Sequence, residues 1–171
     1  PRGRTVKMCL SNPAVAEQAY ARIADWLAPV RPRLGLDLYS GTGGIAAFLA
    51  GCCERVVAVE SDPGNRDAAL ATFADNGIDN VDYRVAEVGA VLRSWDEPVD
   101  VLVLNPPRAG VGAAALRPVI DLAPARIAYM SCNALSLLAD CRVLGPHYRP
   151  VSIAVLDMFP QTHHFEVLIC W

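Results

Sequence analysis

The chain alternates between short apolar runs and longer amphipathic segments, and this alternation predicts an α/β fold. Seven runs have the length and composition of strands: residues 34–39, 55–59, 81–85, 99–104, 126–130, 150–156 and 165–171. Helical patterns cover residues 45–50, 62–77, 113–122 and 134–144, and an earlier helix starts at Pro13 and stops near Pro29. This order predicts a mostly parallel sheet with helices on both faces and a terminal hairpin that makes one strand antiparallel.

Residues that favour helix starts support these assignments. Ser11 or Asn12 precedes Pro13, and Asp62 precedes Pro63, so each proline at a first helical position follows an N-cap residue. Asn133 is the possible N-cap of the helix 134–144. We therefore expect a single domain over residues 1–171, with a helical lead-in over residues 1–33 and an α/β core over residues 34–171.

A glycine-rich loop, Ser40-Gly41-Thr42-Gly43-Gly44, joins the first strand to a helix. Backbone N–H groups in such a turn accommodate a nucleotide-like ligand, and Gly41 and Gly43 are candidate binding positions. Glu60 ends the second strand, nineteen residues after Gly41. Its two carboxylate oxygens can accept hydrogen bonds from both ribose hydroxyls. The alternative is a plain turn followed by a solvated glutamate.

The loop departs from the dinucleotide-binding fingerprint. Asp37 lies four residues before Gly41, and the third spaced glycine is absent. This pattern resembles the S-adenosylmethionine loop of class I methyltransferases, which leaves NAD as the second candidate cofactor. Beyond the third strand, Glu87 is expected either to reach the adenine edge of the ligand or to be a solvated loop residue.

A polar loop follows the fourth strand, which is entirely apolar and therefore predicted to be central. It reads Asn105-Pro106-Pro107-Arg108-Ala109-Gly110. Two prolines and a glycine make a rigid loop that presents the Asn105 amide and the Arg108 guanidinium at the carboxyl edge of the sheet. The alternative is a stiff turn with an exposed arginine.

Cys132 stands at the end of the fifth strand, where an open α/β sheet places its working groups, and is a candidate nucleophile. A small buried hydrophobe is the common alternative for a free cysteine. Glu166 is the odd residue in an otherwise apolar strand, and low-dielectric surroundings would raise its pKa toward the range of a useful base. A glutamate facing water is the alternative there.

Two histidines are rival bases. His163 and His164 are adjacent in a strand-like stretch and point in opposite directions, so at most one would face the site. We expect His147 to lie on the surface.

Composition adds bounds to this picture. Of the 171 residues, 53% are hydrophobic and 19% are charged. The net charge is −3, so the sequence does not have the excess of basic residues that is typical of nucleic-acid-binding proteins. The sequence has neither a membrane-spanning stretch nor a signal-like start, which favours a cytoplasmic protein, and its start at Pro1 suggests a piece of a longer one. The six cysteines lack C-x-x-C spacing, and Cys52 and Cys53 are adjacent, so we expect a reducing compartment and no metal.

Three motifs together resemble the RNA uracil-C5 methyltransferase family from about Asn12 to the end of the chain. They are Asn105-Pro106-Pro107-Arg108, Ser131-Cys132-Asn133 and a third over residues 157–166 that reads Asp-Met-Phe-Pro-Gln-Thr-x-His-x-Glu. Asn105 stands before Pro-Pro-Arg where family members usually have aspartate, and Ala134 follows Ser-Cys-Asn. With these two residues the sequence is most similar to the bacterial branch of the family, which methylates a uridine in large-subunit ribosomal RNA.

The resemblance implies a class I S-adenosylmethionine-dependent methyltransferase with a Rossmann-like fold and an RNA substrate. By position it implies Cys132 as nucleophile, Glu166 as base, and Tyr39, Glu60 and Asn105 as contacts to S-adenosylmethionine. We expect Asn105 and Arg108 also to contact the substrate. The alternatives are a tRNA substrate, an inert binding module, and methylation of an amino group, for which an aromatic residue would be expected in place of Arg108.

One position departs from the family. Its Phe-x-Gln-x-Asn segment aligns with residues 8–12, where Leu10 replaces the glutamine expected to contact the cofactor. Leu10 cannot supply that amide, which counts against full competence in cofactor binding. Family members also commonly carry an upstream RNA-binding or iron-sulfur portion. Its absence from this sequence would account for the net negative charge.

Overall fold

The computed structural model describes residues 13–157 and 165–171, which form one seven-stranded sheet covered by helices on both faces. The strands are β1 (Leu34–Leu38), β2 (Arg55–Glu60), β3 (Val81–Val85), β4 (Val101–Leu104), β5 (Arg126–Ser131), β6 (Ser152–Leu156) and β7 (Glu166–Cys170). The helices are α1 (Pro13–Leu27), α2 (Gly44–Leu49), α3 (Arg66–Asp75), α4 (Val88–Arg93), α5 (Ala113–Leu122) and α6 (Ala134–Leu144).

The sheet has the order β3-β2-β1-β4-β5-β7-β6. Strands β1 to β5 are parallel, whereas β7 is antiparallel to both of its neighbours, β5 and β6. The predicted α/β architecture with one reversed strand near the C-terminus is therefore confirmed. Every residue of β1 and β4 is buried, as expected for central strands whose two faces are both covered.

Each face of the sheet has its own hydrophobic core. Helices α1, α2 and α3 cover one face, and α1 packs Ala19, Ile23 and Leu27 against it at the four-residue spacing of an amphipathic helix. Helices α4, α5 and α6 cover the other face. Neighbouring strand residues therefore belong to opposite cores, as Val103 and Leu104 of β4 do.

The structure corrects two of the predicted elements. The segment 62–77 is a 3-10 turn, Pro63–Asn65, followed by α3, rather than one continuous helix. Asp62 is the N-cap of that turn, as predicted, and accepts a hydrogen bond from the Gly64 N–H (2.8 Å). The first strand ends at Leu38, because Tyr39 has a positive φ of 64° that a strand cannot contain. The six-residue helix α4 was not predicted. Within the described ranges, none of the helices has the length and apolarity needed to cross a lipid bilayer.

Candidate active site

The predicted site residues lie along one edge of the sheet, where the parallel strands end. In strand order, Tyr39 follows β1, Glu60 ends β2, Glu87 lies beyond β3, Asn105 follows β4 and Cys132 follows β5. Because β7 is antiparallel, its first residue, Glu166, lies at this same edge. Ligands of open α/β sheets bind at the carboxyl edge of the strands, so the topology brings these candidates to one side of the molecule.

The glycine loop (residues 40–44) has a backbone that favours glycine at two positions. Gly41 and Gly43 have φ angles of 53° and 78°. A Cβ atom at Gly43 would lie 2.7 Å from the ring of Phe73, so the loop could not pack on α3 with any other residue there. A Cβ at Gly41 would meet no atom within 4 Å. Gly43 is thus required by packing, whereas Gly41 borders open space.

Glu60 and Tyr83 hold the Gly41 peptide from both sides. The Gly41 N–H donates to Oε2 of Glu60 (2.9 Å), and the Tyr83 hydroxyl donates to the Gly41 carbonyl (2.5 Å). The other Glu60 oxygen, Oε1, accepts from the Asp62 N–H (2.8 Å). Glu60 is therefore bound into the loop rather than solvated on its own, and its carboxylate retains lone pairs for further donors.

Asp37 lies beneath the glycine loop and is fully buried. Its Oδ2 accepts a hydrogen bond from the Ser40 hydroxyl (2.7 Å), and its Oδ1 has no partner in good geometry among the described residues. Burial raises the pKa of Asp37 to about 7, against the opposing effect of the Ser40 and Ala46 donors. A buried acceptor without a full set of donors suits a cationic or N–H group of a ligand.

Cys132 and Glu166 lie next to the paired ends of β5 and β7. The antiparallel register places Met130 opposite Leu168 and Ser131 opposite Val167. Cys132 directly follows the last residue of β5, and Glu166 is the first residue of β7, so the two residues flank the Ser131–Val167 pair. Side chains alternate between faces along β7, so Glu166 points to the face that α1 covers, as Leu168 does.

Glu166 is half-buried, and its Oε2 is a buried atom without a hydrogen-bond partner among the described residues. This burial raises the pKa of the carboxyl to about 7. Tyr20 of α1 lies near both acids: burial raises the pKa of its hydroxyl, and the charges of Asp37 and Glu166 raise it further. The Glu166 carboxyl can therefore take up and release a proton near neutral pH.

The loop 105–112 rests on helix α6. Asn105 and Arg108 are exposed, and the Arg108 carbonyl accepts hydrogen bonds from Asn133 Nδ2 (2.9 Å) and the Ser136 hydroxyl (3.0 Å). Asn133 also caps α6, as predicted, because its Oδ1 accepts from the Leu135 N–H (3.0 Å). The loop that presents Asn105 and Arg108 is thereby fixed to the helix that begins just after Cys132.

Sequence reasoning missed Asp140, a buried acid of α6. Its Oδ2 accepts from the Val111 N–H (2.7 Å) and the Tyr129 hydroxyl (2.6 Å), and its Oδ1 accepts from the Gly112 N–H (3.0 Å). A signal was available, because Asp140 falls on the apolar stripe that Leu137 and Leu144 define at helical spacing. A charged residue in such a stripe is buried and needs partners.

The remaining candidates are less well defined. Glu87 is exposed at the start of α4 and its side chain makes no capping bond, so both of its predicted roles remain open. His147 is exposed, as predicted. Leu10, His163 and His164 lie outside the described residues. Within the described part of the chain, no group of three or more His, Cys, Asp or Glu side chains could hold a metal ion.

Comparison with known proteins bears on this arrangement. Residues 88–170 match the family model described as tRNA (Uracil-5-)-methyltransferase. The 23S rRNA (uracil(747)-C(5))-methyltransferase RlmC of Vibrio vulnificus strain YJ016 is 34% identical over 159 residues, which are 93% of this chain and 42% of the relative. By both matches the chain is similar to the RNA uracil-C5 methyltransferases.

Two further matches extend this similarity. An uncharacterised RNA methyltransferase of Thermosynechococcus vestitus is 37% identical over 92% of this chain and 35% of its own length. The structure of Pyrococcus abyssi tRNA (uracil-54, C5)-methyltransferase in complex with S-adenosyl-L-homocysteine superposes with a TM-score of 0.75 and 28% identity, over 90% of this chain and 38% of that one. The fold is that of the class I methyltransferases, and the chain spans less than half the length of these relatives.

Proposed function

We propose that this chain is the catalytic domain of an S-adenosylmethionine-dependent methyltransferase that acts on C5 of a uridine in RNA, in large-subunit ribosomal RNA by its likeness to RlmC. The observation that carries the proposal is the Cys132–Glu166 pair. A cysteine that can act as a nucleophile follows β5, and a glutamate whose pKa burial raises to about 7 begins the neighbouring strand β7, at the sheet edge that the glycine loop borders. The RNA-methyltransferase relatives support this chemistry.

The residues beneath and around the glycine loop fit S-adenosylmethionine. Glu60 offers carboxylate lone pairs beside the open face of Gly41, which suits the two hydroxyls of a ribose. Asp37 offers a buried acceptor without a full set of donors, which suits an ammonium group. Gly43 of the same loop, with Tyr39 and Asn105, completes the set of residues that we propose to bind the cofactor. When bound, S-adenosylmethionine supplies an electrophilic methyl group for C5.

The Cys132 thiolate forms a bond to C6 of the uracil ring. The electron pair of the C5–C6 double bond moves onto C5 and the neighbouring carbonyl oxygen, so that C5, otherwise a poor nucleophile, becomes an enolate carbon. After C5 carries its methyl group, Glu166 removes the C5 proton. The pair of electrons from that C–H bond restores the double bond, and the bond from C6 to Cys132 breaks to release the thiolate.

The loop 105–112 supplies the contacts to the substrate. The Asn105 amide can donate and accept hydrogen bonds at the polar edge of uracil. Arg108 is exposed beside it and offers five donors to a phosphate or a base. Since a thiolate must approach the face of the ring, the target base has to be unstacked from its neighbours, either in a loop or flipped out.

Covalent trapping tests this proposal. The full-length protein is incubated with S-adenosylmethionine and 5-fluorouridine-substituted ribosomal RNA, because fluorine at C5 cannot leave as a proton and the adduct persists. We expect a denaturation-resistant protein–RNA adduct that Cys132→Ala abolishes and Cys52→Ala retains. Cys52 is a matched control, since it is also a partly buried free cysteine but lies outside the site.

The same assay separates the alternatives. An adduct with transfer RNA alone would replace the ribosomal substrate with a tRNA substrate, as in the Pyrococcus abyssi relative. A third outcome is that calorimetry detects binding of S-adenosylhomocysteine, but neither RNA forms a Cys132-dependent adduct or receives labelled methyl. That result would contradict the proposed enzymatic activity and favour an inert binding module.

A further inference from the structure

The loop 105–112 is bonded to one polar face of helix α6. Asn133, Ser136 and Asp140 follow one another at spacings of three and four residues, so they share one side of the helix. Asn133 and Ser136 bond the Arg108 carbonyl, and Asp140 bonds the Val111 and Gly112 amides. The whole Arg108 end of the loop is therefore anchored to the helix that starts two residues after Cys132.

Asp140 is the buried member of this face, with 2% of its surface exposed. We call its two hydrogen bonds from the loop, donated by the Val111 N–H and the Gly112 N–H, the Asp140 clamp. The Tyr129 hydroxyl donates a further bond to the same carboxyl group from strand β5. The Val111 and Tyr129 bonds are short, at 2.7 and 2.6 Å.

Gly110 shows how closely the loop follows the helix. It has a φ of 80°, and a Cβ atom there would lie 2.8 Å from Oδ2 of Asp140 and 3.0 Å from Cβ of Ser136. No side chain fits between this part of the loop and α6. The loop path thus depends on the contact with Asp140 and not only on the two prolines.

The glycine loop is held separately. Glu60 of β2 and Tyr83 of β3 bond the backbone of Gly41. In the strand order, β2 and β3 lie on one side of β1, whereas β4 and β5 lie on the other. Neither bond involves α6 or Asp140. A change at Asp140 should therefore act on the Arg108 end of the loop 105–112 and leave cofactor binding largely intact.

We propose that Asp140 is a positioning residue for the methyl-transfer reaction: through the Asp140 clamp it fixes the loop 105–112 on helix α6, so that Arg108 holds the RNA over Cys132. This inference rests on the proposed function. Asp140 touches neither the uracil nor the cofactor. Its effect reaches the reaction through the placement of Arg108, and small errors of placement reduce the rate of a positioned reaction steeply.

The test compares Asp140→Asn with Tyr129→Phe in the full-length protein. An asparagine has one acceptor oxygen and an NH₂ group, so it cannot accept from both loop amides in the present geometry. Tyr129→Phe removes the bond from strand β5, which is not part of the clamp, and leaves both loop amides bonded to Asp140, which makes it the matched control. Three quantities are measured: amide hydrogen exchange at residues 111 and 112, S-adenosylhomocysteine affinity by calorimetry, and the rate of adduct formation with 5-fluorouridine RNA.

In Asp140→Asn we expect exchange at the two amides to accelerate at least tenfold and the adduct rate to fall about 10- to 100-fold. The Kd of S-adenosylhomocysteine should change less than about threefold, because the bonds of the glycine loop persist. A purely structural role would lower cofactor binding and adduct formation together. Tyr129→Phe should stay within about threefold of wild type in all three measurements.

Gly110→Ala provides a second variant that keeps every group of the clamp. Its added Cβ forces the loop away from Asp140, so we expect the same separation of adduct rate from cofactor affinity, even if Asp140→Asn does not fold. Unchanged exchange at residues 111 and 112, or faster exchange with an unchanged adduct rate, would overturn the inference. A wild-type protein that forms no adduct contradicts the proposed function instead, while the exchange data still report on the clamp.

Discussion

The glycine loop and the loop 105–112 lie at the same edge of the sheet, but the side chains that hold them come from different parts of the chain. Glu60 and Tyr83 reach the glycine loop from the next two strands along the sheet. The loop 105–112 is held from α6, by Asp140 some 28 residues further along the chain. The first support belongs to the strand–loop–helix–strand unit itself, whereas the second depends on the packing of a later helix.

This difference means that the two loops can be disturbed one at a time. The glycine loop should set most of the cofactor affinity, and the Arg108 end of the loop 105–112 should set the reaction with RNA. The experiments below probe the two regions, in addition to those on Cys132 and Asp140.

The largest effect is expected from Gly43→Ala compared with Gly41→Ala. At Gly43 the new Cβ meets the Phe73 ring at 2.7 Å and φ is 78°, so steric overlap and backbone strain should together lower the free energy of unfolding by about 3 kcal/mol. At Gly41 only the backbone strain applies, which costs roughly 1–2 kcal/mol. Urea unfolding measures both. Equal losses in the two variants would contradict the packing role of Gly43.

A smaller effect is expected from Glu60→Gln. The amide keeps one acceptor for the Gly41 or Asp62 N–H but loses the charge and the second acceptor, so we expect S-adenosylhomocysteine affinity to fall about tenfold, equivalent to about 1.4 kcal/mol. Calorimetry measures the affinity, and hydrogen exchange at residues 111 and 112 serves as the control. Faster exchange there would show that the two loops are coupled rather than independent.

The last test concerns pH, through one acid beneath the glycine loop and one at the start of β7. Asp37 and Glu166 have pKa values raised to about 7 by burial, from ordinary values of 3.8 and 4.5. The folded protein therefore binds these protons more tightly than the unfolded chain, and the resulting stability is present below the ordinary pKa values and lost as pH rises through about 7.

We expect the free energy of unfolding to fall over that pH range, and Asp37→Asn and Glu166→Gln each to remove part of the slope. Asp37→Asn should remove more, because Asp37 is fully buried and Glu166 only half-buried. Urea titrations at a series of pH values give the slopes. A double variant with the wild-type slope would rule out both acids as its source.

Sequence reasoning succeeded where a pattern reflects local chemistry. The apolar runs that became β1, β4 and β5 are buried on both faces, so their composition alone marked them as strands. The glycine loop and Glu60 were recognised because the residues that shape the site are close in sequence. Parallel strands then place Asn105 and Cys132 at the same edge without any further information.

Sequence reasoning failed where a later part of the chain decides the outcome. The six residues of α4 also give too short a window for a helical period. Asp140 was overlooked because its partners, Val111 and Gly112, are backbone amides of a distant loop. Backbone donors leave no trace in a sequence, so only the fold reveals them.

The reversed strand β7 has a consequence for how this type of site can diversify. Cys132 follows β5 and Glu166 begins β7, and the hydrogen-bond ladder between these strands, not the length of any connection, aligns the two strand ends. The surrounding segments, such as the loop 105–112, can therefore lengthen, shorten or change composition while that alignment stays constant. The register of the sheet, rather than the loops, fixes how these two strand ends stand relative to each other.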